Sequence, residues 1–156
     1  MAKIDFNFRK KLNAMIGGEL HSYCFQCGAC VGDCPAARYS PRFNPRRIML
    51  QAILGQADPL LAEDSVIWEC TNCYNCYERC PQDVRPVEVI MALKNMTRKA
   101  RTNPQQVNDM VKAVQETGRT VVLTSAVDRR RGEMGLEKMG DVPMDEIRKL
   151  MQTRFH

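Results

Sequence analysis

The fold of this chain follows from one short stretch, Cys24-Phe25-Gln26-Cys27-Gly28-Ala29-Cys30-Val31-Gly32-Asp33-Cys34-Pro35. Its cysteines have the spacing C-x-x-C-x-x-C-x-x-x-C-P, and the same spacing returns at Cys70, Cys73, Cys76 and Cys80, followed by Pro81. The two runs contain all 8 cysteines of the 156-residue chain. Such a run is typical of proteins that bind two [4Fe–4S] clusters. The sequence therefore predicts an iron–sulfur protein that transfers electrons.

The spacing within each run also predicts which cysteines share a cluster. Three thiolates separated by two residues each can converge from one tight loop onto three irons of a cube. The fourth cysteine has been carried past that cube, and the proline after it turns the chain away. In the bacterial ferredoxin arrangement this cysteine binds the other cluster. We therefore expect a first cluster on Cys24, Cys27, Cys30 and Cys80, and a second cluster on Cys70, Cys73, Cys76 and Cys34.

Zinc binding and disulfide formation are two other uses of cysteines in such numbers. Zinc also binds paired C-x-x-C motifs, but a zinc site needs neither the third cysteine in register nor the C-P ending. A disulfide framework belongs to secreted proteins. Residues 1–20 carry charges at Lys3, Asp5 and Arg9 and contain no apolar stretch suited to a signal peptide. The spacing favours iron over both alternatives, and free thiolates indicate a reducing cytoplasm.

Composition and charge limit the classes of function. The formal net charge is +5, but this count treats the cysteines as neutral. Eight thiolates and two oxidised cluster cores would bring the loaded protein to about +1. The run Arg129-Arg130-Arg131 is more typical of a solvated or partner-facing surface than of a nucleic-acid site, because no aromatic residues accompany it. No apolar run approaches the ~20 residues of a membrane helix.

Helical patterns dominate the rest of the chain, which predicts an all-α fold, the alpha-helical ferredoxin architecture. An amphipathic helix is expected in residues 1–20, with Ile4, Phe8, Leu12, Met15 and Ile16 on one face before Gly17-Gly18. Between the cysteine runs, Asn44 and Pro45 begin a helix that Gly55 ends. After the second run, Pro86 begins a helix, and Asn103 and Pro104 cap another that Gly118 closes. The cluster domain is expected to span residues 21–118.

The C-terminal extension, residues 119–156, is less informative. Val121-Val122-Leu123 fits either a short strand or a continued helix, and residues 128–141 hold scattered charges and several glycines, which predicts irregular structure. Residues 143–151 are expected to form a last helix. The apolar faces of both chain ends are expected to bind partner proteins. The two histidines, His21 and His156, are expected to be exposed and not to bind metal.

No catalytic set is recognisable in the sequence. There is no phosphate-binding loop, no G-x-G-x-x-G motif and no histidine paired with a nucleophile. Two clusters also leave a chain of this size little volume for a substrate pocket. We therefore expect an electron relay without a substrate-converting site.

The cysteine runs and their flanks resemble the C-type iron–sulfur subunit of heterodisulfide reductase. The resemblance rests on Cys24-Phe25-Gln26-Cys27-Gly28-Ala29-Cys30, on Asn44-Pro45-Arg46, and on Cys70-Thr71-Asn72-Cys73 with Cys80-Pro81. It covers roughly residues 1–125. The motif is shared with iron–sulfur subunits of succinate dehydrogenase, fumarate reductase and glycolate oxidase. The first two carry a [2Fe–2S] domain and the third carries added cysteine-rich repeats, neither of which is seen here.

The resemblance implies a role in a multi-subunit oxidoreductase. In that family the C-type protein passes electrons from a flavin- and iron–sulfur-containing subunit to a cysteine-rich catalytic subunit. The catalytic partner reduces the mixed disulfide of coenzyme M and coenzyme B at the end of methane formation. The alternative is a diffusible ferredoxin-like carrier, or a module of another complex such as one of sulfur metabolism. Free carriers are usually strongly acidic, and the balance of charge here favours membership of a complex.

Overall fold

The computed structural model describes residues 3–152, which divide into two compact units, one ending at Asn103 and the other beginning at Pro104. The first unit contains seven helices: α1 (Phe6–Asn13), α2 (Ala29–Gly32), α3 (Pro35–Tyr39), α4 (Pro45–Leu54), α5 (Ala57–Leu61), α6 (Asn75–Glu78) and α7 (Pro86–Ala100). The second contains α8 (Gln105–Thr117), α9 (Ser125–Glu133) and α10 (Met144–Gln152). Residues 3–152 contain no β-strand, so the predicted all-α class is confirmed.

The two cysteine runs adopt the same local structure. A 3₁₀ turn precedes each run, at His21–Tyr23 and at Val66–Glu69, and a single-turn helix, α2 or α6, carries the third cysteine of each. Helices α2 and α6 pack against each other. Two copies of one motif are thus brought side by side.

Helix α4 forms where the sequence predicts it. The Asn44 side chain accepts a hydrogen bond from the backbone N–H of Arg47 at 3.0 Å, and Pro45 occupies the first helical position. Gly55 ends the helix with a φ of 72°, a left-handed conformation that favours glycine. The backbone N–H of Asp5 donates to the Gly55 carbonyl at 2.8 Å, which ties the start of the chain to the end of α4.

The hydrophobic core of the first unit lies between α1, α4, α5 and α7. Its largest fully buried members include Phe8, Leu12, Ile48, Met49, Leu60, Ile67, Ile90 and Leu93. Several cysteines, Cys24, Cys34, Cys70 and Cys80 among them, pack against the edge of this core. The helices therefore form a packed base on which both cysteine loops rest.

The N-terminal helix differs from the expectation in its length and in its role. It ends at Asn13, with Ala14 as its C-cap, so Ile16 lies beyond it and is 94% exposed. Phe8 and Leu12 are buried in the core of their own chain. The prediction that this apolar face binds a partner is therefore wrong for these two residues, because the core already covers them.

His21 also differs from the expectation, because it is only 2% exposed. Its ring nitrogen Nδ1 lies 2.7 Å from the carbonyl oxygen of Gly18, to which it donates a hydrogen bond. The ring therefore closes the turn that leads into the first cysteine loop. His156 lies outside the described residues.

The second unit corrects two expectations. Residues 125–133 form α9, so the irregular structure predicted from residue 128 is wrong for Asp128–Glu133. Val121 lies in a bend and residues 122–124 are neither strand nor helix. Helices α8 and α10 pack together, and the predicted C-terminal helix is confirmed as α10. None of the residues of α8, α9 or α10 is buried.

No helix within residues 3–152 is both long enough and apolar enough to cross a membrane. The expected division at residues 20 and 118 stays a prediction.

Candidate iron–sulfur sites

One cavity of the first unit brings together thiols from both cysteine runs. Cys24, Cys27 and Cys30 of the first run line it, and so does Cys80 of the second. Arg46, from the first turn of α4, and Pro86, from the start of α7, complete its wall. The fourth cysteine of the second run is therefore beside the first loop.

The remaining four thiols also lie close to one another. The pKa of Cys76 is raised to about 11, first by burial and then by the nearby thiols of Cys70, Cys34 and Cys73. Burial also raises the pKa of Cys70, and Cys34 and Cys73 add to that effect. The fourth cysteine of the first run thus lies with three cysteines of the second.

The two groups of thiols are adjacent to each other. Burial raises the pKa of Cys30 to about 12, and the largest contribution from a neighbouring thiol comes from Cys76, ahead of Cys24 and Cys27. Cys30 and Cys76 stand on α2 and α6, the helices that pack together. Because only the thiolate binds metal, a cation must displace these protons, and binding of iron releases them.

Hydrogen-bond donors surround the sulfurs. The backbone N–H of Val84 donates to Cys80 Sγ at 3.3 Å, and the Gln26 side-chain amide donates to Cys24 Sγ at 3.3 Å. Backbone N–H groups of Asn72 and Val87 lower the pKa values of Cys70 and Cys76, against the effect of burial. Donors of this kind stabilise negative charge on sulfur and raise the reduction potential of an iron–sulfur cluster.

The donor set fits two cubane clusters. All eight cysteines are free thiols, and they form two groups of four on one packed base. Within residues 3–152, no three Cys, His, Asp or Glu side chains converge on a point that could hold a single metal ion. Four thiolates of a cubane do not need to converge in this way, because each binds a different iron. When bound, each cluster accepts and releases one electron at a time.

One basic residue beside the second loop could not be predicted from the cysteine motifs. Lys94, on α7, donates hydrogen bonds from Nζ to the Cys70 carbonyl at 3.0 Å and to Asn72 Oδ1 at 3.3 Å. Burial lowers its pKa, and Cys70 acts in the opposite direction. The signal that could have revealed Lys94 is its position beside Leu93, on the apolar side of an amphipathic helix.

Aromatic residues lie in and beside the second loop. The ammonium group of Lys94 lies 5.5 Å from the centre of the Trp68 ring, and the Arg85 guanidinium lies 5.0 Å from the centre of the Tyr77 ring. Tyr77 contacts Tyr74, with their ring centres 5.9 Å apart. Trp68 is partly buried and packs against the hydrophobic core of the first unit.

Comparison with known proteins places the chain in a class. Residues 21–84 match the family described as a 4Fe-4S dicluster domain. Together with the all-α architecture, this match defines an alpha-helical ferredoxin-like protein that binds two [4Fe–4S] clusters.

Relatives over most of the chain define the family more narrowly. The C-type subunit of the H(2):CoB-CoM heterodisulfide,ferredoxin reductase of Methanothermobacter thermautotrophicus is 34% identical, over 96% of this chain and 83% of the relative. A CoB--CoM heterodisulfide reductase iron-sulfur subunit of type C 2, from Methanocaldococcus jannaschii, is 32% identical, over 83% and 71%. The C-type subunit of the Ferredoxin:CoB-CoM heterodisulfide reductase of Methanosarcina mazei is 31% identical, over 83% of each. The chain belongs to the family of C-type heterodisulfide reductase subunits, the iron–sulfur subunits of these oxidoreductases.

Proposed function

We propose that this chain relays electrons within a heterodisulfide reductase complex. It takes them from a flavin-containing subunit of the complex and delivers them to the catalytic subunit, which reduces the mixed disulfide of coenzymes M and B. The names of the relatives support the reaction, because they refer to the CoB–CoM heterodisulfide. The observation that carries the relay role is the adjacency of two four-thiol groups at Cys30 and Cys76.

The proposed ligand sets are crossed between the two runs. Cys24, Cys27, Cys30 and Cys80 hold the first cluster, and their shared cavity supports this assignment. Cys70, Cys73, Cys76 and Cys34 hold the second, which the mutual effects on their thiol pKa values support. Crossed ligation makes each loop depend on the other, so the two clusters stay at a constant separation.

The residues of this chain have three tasks in the relay. The thiols bind iron, the backbone and Gln26 donors stabilise charge on sulfur, and the aromatic side chains around Tyr77 and Trp68 limit water near the second loop. Cys27 and Cys73 are the exposed thiols, so each loop has one solvent-facing edge through which a partner can exchange electrons. No bond to a substrate forms or breaks on this chain.

The second unit supports the proposal that the protein works in a hetero-oligomeric complex. Large apolar residues of this unit are exposed, among them Met134 (71%), Leu136 (47%), Leu150 (64%) and Met151 (44%). Exposed apolar surface of this kind is typical of protein–protein contact sites. Eight free thiols also fit work in a reducing cytoplasm.

Activity with and without the catalytic partner tests the proposal. The chain is loaded with iron anaerobically, reduced by a low-potential donor and mixed with the heterodisulfide of coenzymes M and B. We expect the chain alone not to reduce the heterodisulfide to free coenzyme thiols, because every thiolate of the chain is bound to iron. Once the catalytic subunit is added, the coenzyme thiols should be released rapidly.

The matched control is chain from which the iron has been removed. Reduction of the heterodisulfide by the chain alone would contradict the relay role, and so would equal support of the catalytic subunit by the iron-free control. Gel filtration distinguishes a subunit of the complex from the alternative, a diffusible carrier. Elution of the loaded chain apart from the flavin-containing and catalytic subunits, at micromolar concentration, would favour that alternative.

A further inference from the structure

Lys94, on α7, places a positive charge against the second cysteine loop. Its side chain is half-buried, and Nζ is held by the Cys70 carbonyl at 3.0 Å, Asn72 Oδ1 at 3.3 Å and the face of Trp68 at 5.5 Å. A long flexible side chain is thus held in one position next to a proposed iron ligand.

The first loop has no equivalent charge of this kind among the residues described. Arg46 lines the first cavity, but its side chain is exposed, and water screens an exposed charge. Charges near a protein surface interact several-fold more weakly than charges removed from water. The two loops therefore share a backbone conformation but differ in their electrostatic environment.

We propose that Lys94 raises the reduction potential of the cluster on the Cys70 loop above that of the cluster on the Cys24 loop. Uptake of one electron makes a cluster more negative by one charge, with no bond formed and no proton moved. A nearby cation stabilises the reduced form more than the oxidised form. An electron that enters this chain at either loop consequently settles on the second cluster, which becomes the site from which the chain delivers electrons. This inference rests on the proposed function for its ligand sets.

Lys94 also joins α7 to the loop by hydrogen bonds, so a structural role must be separated from an electrostatic one. Lys94→Gln removes the charge and keeps a hydrogen-bond donor. Lys94→Met removes both and keeps an unbranched side chain of similar length. Lys94→Arg keeps the charge and the donor. Lys99→Gln is the matched control, since it removes an exposed lysine from the same helix more than one turn away.

The test is a redox titration of the isolated, iron-loaded chain, followed by electron paramagnetic resonance, with iron content measured for each variant. We expect two midpoint potentials in the native chain. In Lys94→Gln and Lys94→Met, only the higher midpoint potential should fall. The expected loss is about tenfold in the ratio of reduced to oxidised cluster at a given potential, which corresponds to about 59 mV for one electron. Lys94→Arg should restore the native value, and Lys99→Gln should leave both potentials unchanged.

Three results would overturn the inference. The first is that both midpoint potentials stay at their native values in Lys94→Gln and Lys94→Met. The second is that Lys94→Arg lowers the higher midpoint potential as much as these two neutral variants do. The third is loss of iron from both neutral variants, which would make Lys94 a structural brace. The titration uses no partner protein, so its outcome is independent of heterodisulfide reduction. If the chain supports the catalytic partner but its midpoint potentials do not depend on Lys94, this inference is refuted and the proposed function is not.

Discussion

At the scale of single residues, unusual backbone conformations shape both cysteine loops. Gln26 and Asn72 occupy equivalent positions and have φ angles of 56° and 52°. Gly28 and Tyr74 are the next such pair, with φ angles of 88° and 64°. A left-handed conformation costs most non-glycine residues ~1–2 kcal/mol but is tolerated by asparagine, so Gln26 and Tyr74 are the strained positions. Because both runs adopt the same left-handed conformations, and each contains one strained residue, the motif requires this path of the chain to aim its thiols.

Gly18 gives a prediction at this scale. A methyl group at Gly18 would collide with the Leu12 carbonyl oxygen, which is backbone and cannot turn away. We expect Gly18→Ala to destabilise the protein by ~1–3 kcal/mol, as overpacking does, because α1 must move away from the turn that leads to Cys24. Thermal unfolding of the iron-loaded chain, followed by circular dichroism, measures the effect.

The control for Gly18 is Gly132 in α9, where an added methyl group has no atom within 4 Å. Gly132→Ala should be neutral or stabilise the chain by ~0.5–1 kcal/mol, since alanine is the better helix former. Equal melting temperatures for the Gly18→Ala and native chains would show that the backbone at Leu12 yields without cost.

At the scale of elements, the two loops are held together by more than the proposed clusters. The Asn75 side-chain amide donates to the Asp33 carbonyl at 3.0 Å, and Arg79 Nε lies 2.7 Å from Asp33 Oδ2. The ion pair is exposed and contributes little, ~0–1 kcal/mol. Burial of α4 and α7 in the core therefore holds the loops in place, and the polar contacts only define how α2 meets α6.

Crossed ligation is the prediction that belongs to these elements. If it is correct, Cys80→Ala and Cys27→Ala both damage the first cluster and leave the second cluster intact. The paramagnetic resonance spectrum of the surviving cluster should then be identical in these two variants. Cys34→Ala and Cys73→Ala should form a second pair with the other spectrum. Pairing of Cys80→Ala with Cys73→Ala instead would show that each run holds its own cluster.

At the scale of the whole molecule, the buried hydrophobic residues within the described range, 3–152, all belong to one unit. They lie between Phe8 and Leu93, within the first unit, whereas the helices of the second unit carry none. Each fully buried Leu or Phe contributes ~1.5–3 kcal/mol by removal from water. The stability of the cluster-binding base therefore comes from the first unit, and α1 is an integral part of it.

Two truncations test this division. A chain of residues 1–103 should still bind about eight irons, the content of two [4Fe–4S] clusters, because it keeps every cysteine and the whole core. A chain of residues 17–156 keeps every cysteine as well, but it loses Phe8 and Leu12 and should lose iron or fail to fold. Iron and sulfide analysis after anaerobic loading distinguishes them. Retention of the full iron content without residues 1–16 would show that α1 is dispensable.

Much of the structure could be predicted from local signals in the sequence. The cysteine spacing indicated two [4Fe–4S] clusters, because ligands two residues apart reach one cluster from a single loop. The cap at Asn44, the prolines at positions 45 and 86, and the glycines at positions 55 and 118 marked helix ends, because each acts through its own backbone. These features depend on residues close together in the chain.

Other features depend on which distant residues meet, and only the tertiary structure decided them. The burial of Phe8, Leu12 and His21 required knowing that α1 packs on the core. The helix at Ser125–Glu133 has weak amphipathic patterning, so periodicity could not reveal it. The contact of Lys94 with the Cys70 loop joins residues 24 positions apart. The role of a charged residue beside an apolar helix face depends on the group that the fold packs against it.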